Sequence, residues 1–188
     1  MALAPHSSAA AEKIRTPLEP PISQGSGSME TGAYTLNGAT SGIINVNPGA
    51  AVYTPSENEW YKAAYYNGAN STYSLYPNGE NTITQADANY SSSGVVDVGY
   101  GKASSSGTFG QGGNAWEWND AVMYGSSRVL RGGSWGSDVY NLASSVRDYG
   151  GPSVEGSNIG FRVASVPEPT SVFLAIFGSG VMLIRRKR

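Results

Sequence analysis

Residues 112–118 read Gly-Gly-Asn-Ala-Trp-Glu-Trp, and this stretch decides the fold. Two further dense patches follow it, Arg-Gly-Gly-Ser-Trp at 131–135 and Ile-Gly-Phe-Arg-Val at 159–163. Glycine beside tryptophan is typical of a buried ring packed on backbone that comes close or takes a positive φ. Glu117 lies between two large aromatic residues, so its carboxylate is drawn inward and needs an arginine, backbone amides or a metal as partner. The three patches predict an aromatic-rich core with tight turns.

These patches, read outward as GGNAWEW, RVLRGGSW and NIGFRVA, resemble the C-terminal half of the formylglycine-generating (sulfatase-modifying factor) enzyme family. Upstream, TPSENEW at 54–60 resembles the start of the family's helix, and YPNGE at 76–80 resembles its turn. The resemblance covers about residues 30–165. It implies an α+β fold of the C-type-lectin-like, sulfatase-modifying-factor type, irregular and loop-rich, with an incomplete N-terminal half. The residues expected to have structural roles are Trp60, Trp116, Trp118, Arg131, Gly132, Gly133, Trp135, Arg147, Gly160, Phe161 and Arg162. Of these, the rings of Trp116, Trp118 and Trp135 are expected to be largely buried.

Composition excludes several kinds of chemistry. The 188 residues include no cysteine and one histidine, His6, so the sequence cannot supply a disulfide, a zinc-thiolate site, thiol catalysis or a multi-histidine metal site. Four of the 12 basic residues are the last four, which leaves eight basic against 14 acidic residues and a net charge of −6 for the remainder. A nucleic-acid partner would require a basic patch, and none is expected.

One helix is well signalled. Ser56 can cap it and Glu59, three residues on, completes a capping box. Trp60, Ala63, Ala64 and Asn67 share one face, and Gly68 suits the position after the helix end.

Strand signals are short and scattered. Residues 34–36, 43–46 and 51–53 read as strands, and residues 70–107 as a long irregular segment. Residues 129–130 and 161–163 are expected to form core strands of a small antiparallel sheet, and residues 142–146 to be extended.

The resemblance implies metal chemistry that this sequence cannot carry over. Formylglycine-generating enzymes hold copper with a cysteine pair, and relatives that make sulfur-histidine derivatives hold iron with three histidines. Calcium is the cofactor for which residues remain: the resemblance places one site at Gly113, Ala115 and Glu117, and another at Asn89 and Tyr90. The alternative for Glu117 is an ion pair with Arg131, Arg147 or Arg162.

The ends of the sequence read as separate segments. Residues 1–29 are interpreted as a flexible leader or a wrongly assigned start without a recognisable signal peptide. Residues 166–188 join Pro167, Glu168 and Pro169 to an apolar stretch at 172–184 and a basic end. The end is formed by Arg185, Arg186, Lys187 and Arg188.

This tail resembles the PEP-CTERM sorting signal of exopolysaccharide-producing Gram-negative bacteria, which implies recognition by the membrane enzyme exosortase. The apolar stretch forms a helix of about 20 Å, shorter than the roughly 30 Å hydrocarbon core. It is therefore interpreted as a membrane helix held briefly at the inner membrane and then processed, the alternative being a buried core helix.

The leading functional hypothesis is an exported, non-catalytic protein of the cell surface or extracellular matrix. Its lectin-like domain would present loops, such as residues 73–76 with their tyrosines, to extracellular polysaccharide or protein. A cysteine-free enzyme of the modifying-factor class and a decayed fragment of such an enzyme are the alternatives. Because no signal peptide is visible, we expect either an upstream start that encodes one or a product retained in the cytoplasm.

Overall fold

The structure is a computed structural model that describes residues 32–166. The predicted leader (1–29) and the sorting signal from Pro167 onward, including the proposed membrane helix at 172–184, lie outside the described residues. Within residues 32–166, no helix is both long enough and apolar enough to span a bilayer.

The described chain is a mixed helix and sheet fold with short elements. In chain order they are β1 (Val52–Tyr53), α1 (Glu57–Tyr65), β2 (Tyr66–Asn67), β3 (Thr72–Tyr73), β4 (Trp116–Met123), β5 (Ser127–Arg131), a 3₁₀ helix (Val139–Leu142), β6 (Asp148–Gly150), β7 (Ile159–Phe161) and β8 (Ala164–Ser165). The main sheet has the order β6-β5-β4-β7, and β1 pairs with β8 and β2 with β3. The predicted α+β class is confirmed.

Helix α1 begins as the sequence predicts and ends earlier. The Ser56 hydroxyl accepts from the Glu59 amide, and the Glu59 carboxylate accepts from the Ser56 amide at 2.8 Å, so the capping box is complete. Trp60 and Ala64 lie on its buried face. The predicted end near Gly68 is wrong, because Tyr66 and the residue after it leave the helix to pair with β3.

The main sheet brings the three sequence patches together. Strand β4, from the first patch, pairs antiparallel with β5, which leads into the second, and Glu117 lies opposite Arg131. Strand β7, from the third patch, pairs with β4 in parallel, and this places Gly160 beside Glu117. The sheet is therefore mixed, and the expectation of a purely antiparallel sheet is wrong.

Two glycines show why the patches need residues without a side chain. Gly113 has φ +74°, and a Cβ there would lie 2.1 Å from the Asn89 carbonyl oxygen. Gly132 has φ +94°, and its Cβ would lie 2.5 Å from the Gln111 carbonyl oxygen. Left-handed backbone and a close approach of two chain segments coincide at both positions. The predicted role of the patch glycines is confirmed here.

Several burial and strand predictions need correction. Trp116 is buried, whereas Trp118 and Trp135 are half-buried. Phe161 is 70% exposed, because side chains alternate along this edge strand and its neighbour Arg162 takes the inward position. The extended segment expected at 142–146 instead starts with the end of the 3₁₀ helix. Of the strands expected at 34–36 and 43–46, only a Tyr34–Val46 bridge forms.

The loop-rich character is confirmed. From residue 74 to residue 115 the described chain forms turns and no helix or strand longer than a bridge. Local side-chain bonds hold it, such as the Thr84 hydroxyl to Asp87 at 2.8 Å and the Asn78 amide to the Thr82 carbonyl at 2.8 Å. Short polar side chains bonded to nearby backbone stabilise such turns in place of a ladder.

Candidate functional site

Glu117 is the centre of a buried polar cluster between α1 and the main sheet. Its Oε2 accepts from the Trp60 indole nitrogen at 2.6 Å and from Arg162 Nε at 2.6 Å. Its Oε1 accepts from an Arg162 Nη2 at 2.6 Å, and the same nitrogen donates to the Phe109 carbonyl at 3.0 Å. We call Trp60, Glu117 and Arg162 the Glu117 cluster. Both carboxylate oxygens are thus occupied by N–H donors.

Arg131, the cross-strand partner of Glu117, forms a second cluster against α1. Its side chain has 0% exposure, and Nη2 donates to the Ser144 carbonyl at 2.8 Å while Nη1 donates to the Val146 carbonyl. The guanidinium carbon lies 5.3–5.9 Å from the ring centres of three aromatic residues of α1: Trp60, Tyr61 and Tyr65. Cation–π attraction at this range favours a desolvated guanidinium.

Glu57 completes the Arg131 cluster by bridging two arginines. Its Oε1 lies 3.6 Å from Arg131 Nε and also accepts from Arg147, which is 52% exposed. Burial lowers the pKa of Arg131 and raises that of Tyr65. The predicted partners of Glu117 are therefore distributed between two acids: Arg162 binds Glu117, whereas Arg131 and Arg147 bind Glu57.

The residues proposed for calcium do not fit a calcium site as they are arranged. Glu117 already accepts hydrogen bonds from a cation and an indole, so a metal would have to displace Arg162. Asn89 and Gly113, assigned to separate sites, are brought together in one bridge. There the Asn89 carbonyl accepts from the Asn114 amide at 2.7 Å, and its side-chain oxygen accepts from Ser92 at 2.6 Å.

Neighbouring positions show the same pattern. The Tyr90 carbonyl accepts from the Gln85 side chain at 2.9 Å, and Ala115 lies beside Gly160. Across residues 32–166, histidine, aspartate and glutamate nowhere gather in groups of three or more. Calcium prefers six to eight oxygens that are free to face it, and these residues offer few.

The proposed tyrosine loop packs on its own domain. Tyr73 is 53% exposed, and its ring centre lies 5.4 Å from that of Tyr61 and 5.1 Å from that of Tyr66. Ring pairs at these distances stabilise the β2–β3 hairpin against α1. The loop is therefore held in place by internal contacts on one side.

Two open clefts flank β4. The Arg162 cleft, of about 450 Å³, lies beside the Glu117 cluster and is lined by Val98, Phe109, Phe161 and Arg162. The Trp118 cleft, of about 250 Å³, lies at the centre of β4 and is lined by Tyr34, Trp118, Asn119 and Asp120, among others. Sequence reasoning missed Asn119 and Asp120. Two polar residues directly after Trp118, in the same strand, were the available signal.

One known protein family matches the segment that the structure describes. The model of the sulfatase-modifying factor enzyme 1-like domain (FGE-sulfatase) matches residues 32–166, which is most of the chain. The chain belongs to this family. Its sulfatase-modifying-factor domain coincides with the described residues and contains the Glu117 and Arg131 clusters.

Solved structures show the same fold. Treponema denticola variable protein 1 is 29% identical with a TM-score of 0.56, covering 66% of this chain and 51% of its own. CarF is 28% identical with a TM-score of 0.53, covering 65% of this chain and 51% of its own. PvdO from Pseudomonas aeruginosa, 24% identical with a TM-score of 0.50, covers 61% and 52% and supports the fold alone. No curated protein matches the sequence. This sulfatase-modifying-factor chain spans about half the length of the solved structures it matches.

Proposed function

We propose that this protein is an exported, non-catalytic protein of the cell surface or extracellular matrix, whose sulfatase-modifying-factor domain binds a ligand outside the cell. The observation that carries the proposal is the pairing of the motif acids. Glu117 is bound by Arg162 and Trp60, and Glu57 by Arg131 and Arg147. Acids held in this way stabilise the fold and are not free to transfer protons or bind a metal.

Composition supports the same conclusion. The family's copper and iron reactions need cysteine pairs or histidine triads, and this sequence contains no cysteine and one histidine. A fold that lacks the cysteine and histidine metal ligands of the family's oxidases can still bind a ligand through its surface. The clefts on both sides of β4 are the surfaces with the required concave shape.

The sorting part of the proposal is supported by the tail sequence. Pro167-Glu168-Pro169 precedes an apolar stretch and the basic residues 185–188, the order of a PEP-CTERM signal. Basic residues favour the cytoplasmic side of the inner membrane by about 1 kcal/mol each near an anionic surface. This orientation would place the domain outside the cytoplasm for exosortase and, after processing, at the cell surface.

Mass spectrometry of the protein recovered from its native host tests the sorting proposal. We expect a surface-associated form whose C-terminus lies near Pro167. A surface-associated form that still ends in Arg188 would refute processing at this signal. A protein found only in the cytoplasm would refute export and favour the decayed-enzyme alternative.

A further inference from the structure

The Trp118 cleft contains a buried hydrogen-bond donor without a partner. Asn119 lines the cleft and is 2% exposed. Its side-chain oxygen accepts from the Ala121 amide at 3.1 Å, but its amide nitrogen Nδ2 has no hydrogen-bond partner among the described residues. Leaving a buried donor unpaired destabilises a fold, so such a group is expected where a ligand or water supplies the acceptor.

Asp120 adds a carboxylate acceptor, which also takes backbone hydrogen bonds from Glu57 and from its own amide. Its carboxylate lines the same cleft, and burial raises its pKa, with Arg128 lowering it in part. Arg128 is directed to backbone: its Nη1 donates to the Asp120 carbonyl at 2.5 Å and its Nη2 to the Gly42 carbonyl at 2.8 Å. The cleft therefore holds both a carboxylate and the guanidinium of Arg128, which donates to main chain.

The remaining walls are aromatic and apolar. Half-buried Trp118 forms one wall, with Leu36 and Ile44 among the other lining residues. Tyr34 is fixed, since its hydroxyl accepts from the Thr54 amide at 2.8 Å and donates to the Thr54 carbonyl at 3.3 Å. A volume of about 250 Å³ lies below the roughly 300–1,000 Å³ of pockets for drug-sized ligands, so one ring fits.

We propose that the Trp118 cleft binds one neutral sugar ring, with Asn119 Nδ2 donating to a sugar oxygen, Asp120 accepting from sugar hydroxyls and Trp118 packing against a ring face. Sugar hydroxyls both donate and accept, which matches an unpartnered donor next in sequence to a carboxylate with lone pairs to spare beyond its two backbone hydrogen bonds. The C–H face of a sugar ring matches the aromatic and apolar walls. This inference rests on the proposed extracellular role and assigns its ligand class.

Charge favours a neutral sugar over an acidic one. The Asp120 carboxylate and nearby Glu59, whose charge also raises the pKa of Asp120, both repel an anion. Arg128 also lines the cleft, and its guanidinium donates to two backbone carbonyls. With one acidic and one basic side chain in its lining, the cleft offers a uronic acid no surplus of positive charge.

Saturation-transfer NMR and titration calorimetry of the intact chain test the proposal, with the methyl glycosides of glucose, galactose and mannose as probes. We expect at least one glycoside to bind, and Asn119→Leu and Asp120→Asn each to weaken it about tenfold or more. Because Asn119→Leu also removes the acceptor of the Ala121 amide, its thermal unfolding is compared with that of the wild type to show that the variant is folded. Tyr73→Ser, in the β2–β3 hairpin and outside the cleft lining, is the matched control and is expected to bind normally.

Three results would overturn the cleft assignment: binding unchanged in both cleft variants, binding lost only in Tyr73→Ser, or no binding of any glycoside. Methyl glucuronide binding as tightly as the neutral glycosides would overturn the charge argument. The extracellular role is tested separately, because processing at Pro167 is read from the native protein whatever the cleft binds. A processed surface protein that binds no glycoside would keep the role and refute this ligand.

Discussion

Glu117 and Arg162 are 45 residues apart in the sequence, yet their side chains share two hydrogen bonds of 2.6 Å. The parallel pairing of β4 and β7 makes this contact, because it sets Gly160 beside Glu117 and brings Arg162, two residues on, to the carboxylate. The Glu117 carboxylate is mostly buried and also accepts a hydrogen bond from the Trp60 indole nitrogen. At the scale of single residues, the buried negative charge of Glu117 is stabilised by its hydrogen bonds from Arg162 and Trp60.

Removing Arg162 should therefore be costly. Arg162→Met leaves a buried carboxylate with only the indole, and we expect a loss of about 3–5 kcal/mol in the free energy of unfolding. Arg147→Met, which removes an exposed partner of Glu57, should cost at most about 1 kcal/mol. Urea denaturation measures both. The double variant Glu117→Gln, Arg162→Met should recover part of the loss; equal losses in the two single arginine variants would contradict the account.

Asp120 gives a prediction with a defined pH dependence. Its pKa in the folded state is raised above its usual 3.8, chiefly by burial, so ionisation opposes folding. That cost is absent below pH 3.8, where both states are protonated, and is complete above the raised pKa. Asp120→Asn should therefore be more stable than the wild type near neutral pH, with the difference vanishing as pH falls below that value. Urea denaturation across this range checks it, and a difference independent of pH would be inconsistent with burial as the cause.

Sequence reasoning reached the need for a partner at Glu117 and named the right arginine among three. The sequence alone could not decide among the three arginines, because the partner depends on which strand pairs with β4 and in which direction. Asn119 was missed for a related reason. Its amide nitrogen lacks a hydrogen-bond partner because of how the cleft packs. The sequence shows only an asparagine after a tryptophan.

At the scale of elements, local signals were predictable and long-range ones were not. The capping box of α1 is written within four residues and forms as expected. The end of the helix was misplaced because β2 and β3 pair across a turn and remove Tyr66 from the helix. Pairing between segments, such as the parallel contact of β7, has no local sequence signal.

The capping box at the N-terminus of α1 should stabilise the fold in a pH-dependent way. Hydrogen bonds from the Ser56 side chain and backbone lower the pKa of Glu59 below its usual 4.5. The resulting stabilisation is present above pH 4.5 and is lost as pH falls through the lowered value. Ser56→Ala should cost about 1 kcal/mol near neutral pH and less in acid, whereas Ser56→Thr should keep most of the stability. Thermal unfolding across pH measures this; a cost that grows in acid would contradict it.

The turn before β4 carries a matched glycine prediction. Gly113 and Gly125 both have positive φ, +74° and +84°, but only Gly113 has backbone within 4 Å of its missing Cβ. Gly125→Ala should cost about 1–2 kcal/mol from the left-handed conformation alone. Gly113→Ala adds a clash with the Asn89 carbonyl and should prevent stable folding. Soluble yield and circular dichroism compare the two, and similar behaviour would refute the close approach.

At the scale of the whole molecule, the Glu117 and Arg131 clusters join distant segments of the sulfatase-modifying-factor domain. The two clusters tie α1 to the main sheet and to the segment after the 3₁₀ helix. The long segment before β4 is held by turns and local polar bonds. The fold class followed from ordered motifs, whereas the clefts depend on how irregular segments settle against β4, which no periodicity predicts.

We propose that this family fold operates here as a binding module without the family's oxidase chemistry. To test this, the purified intact chain is incubated with copper(I), oxygen and a cysteine-containing peptide, and the peptide products are read by mass spectrometry. We predict no aldehyde product above the copper-only control, since the sequence has no cysteine to hold the metal. Catalytic formation of the aldehyde that is abolished by a single substitution in this chain would contradict the claim.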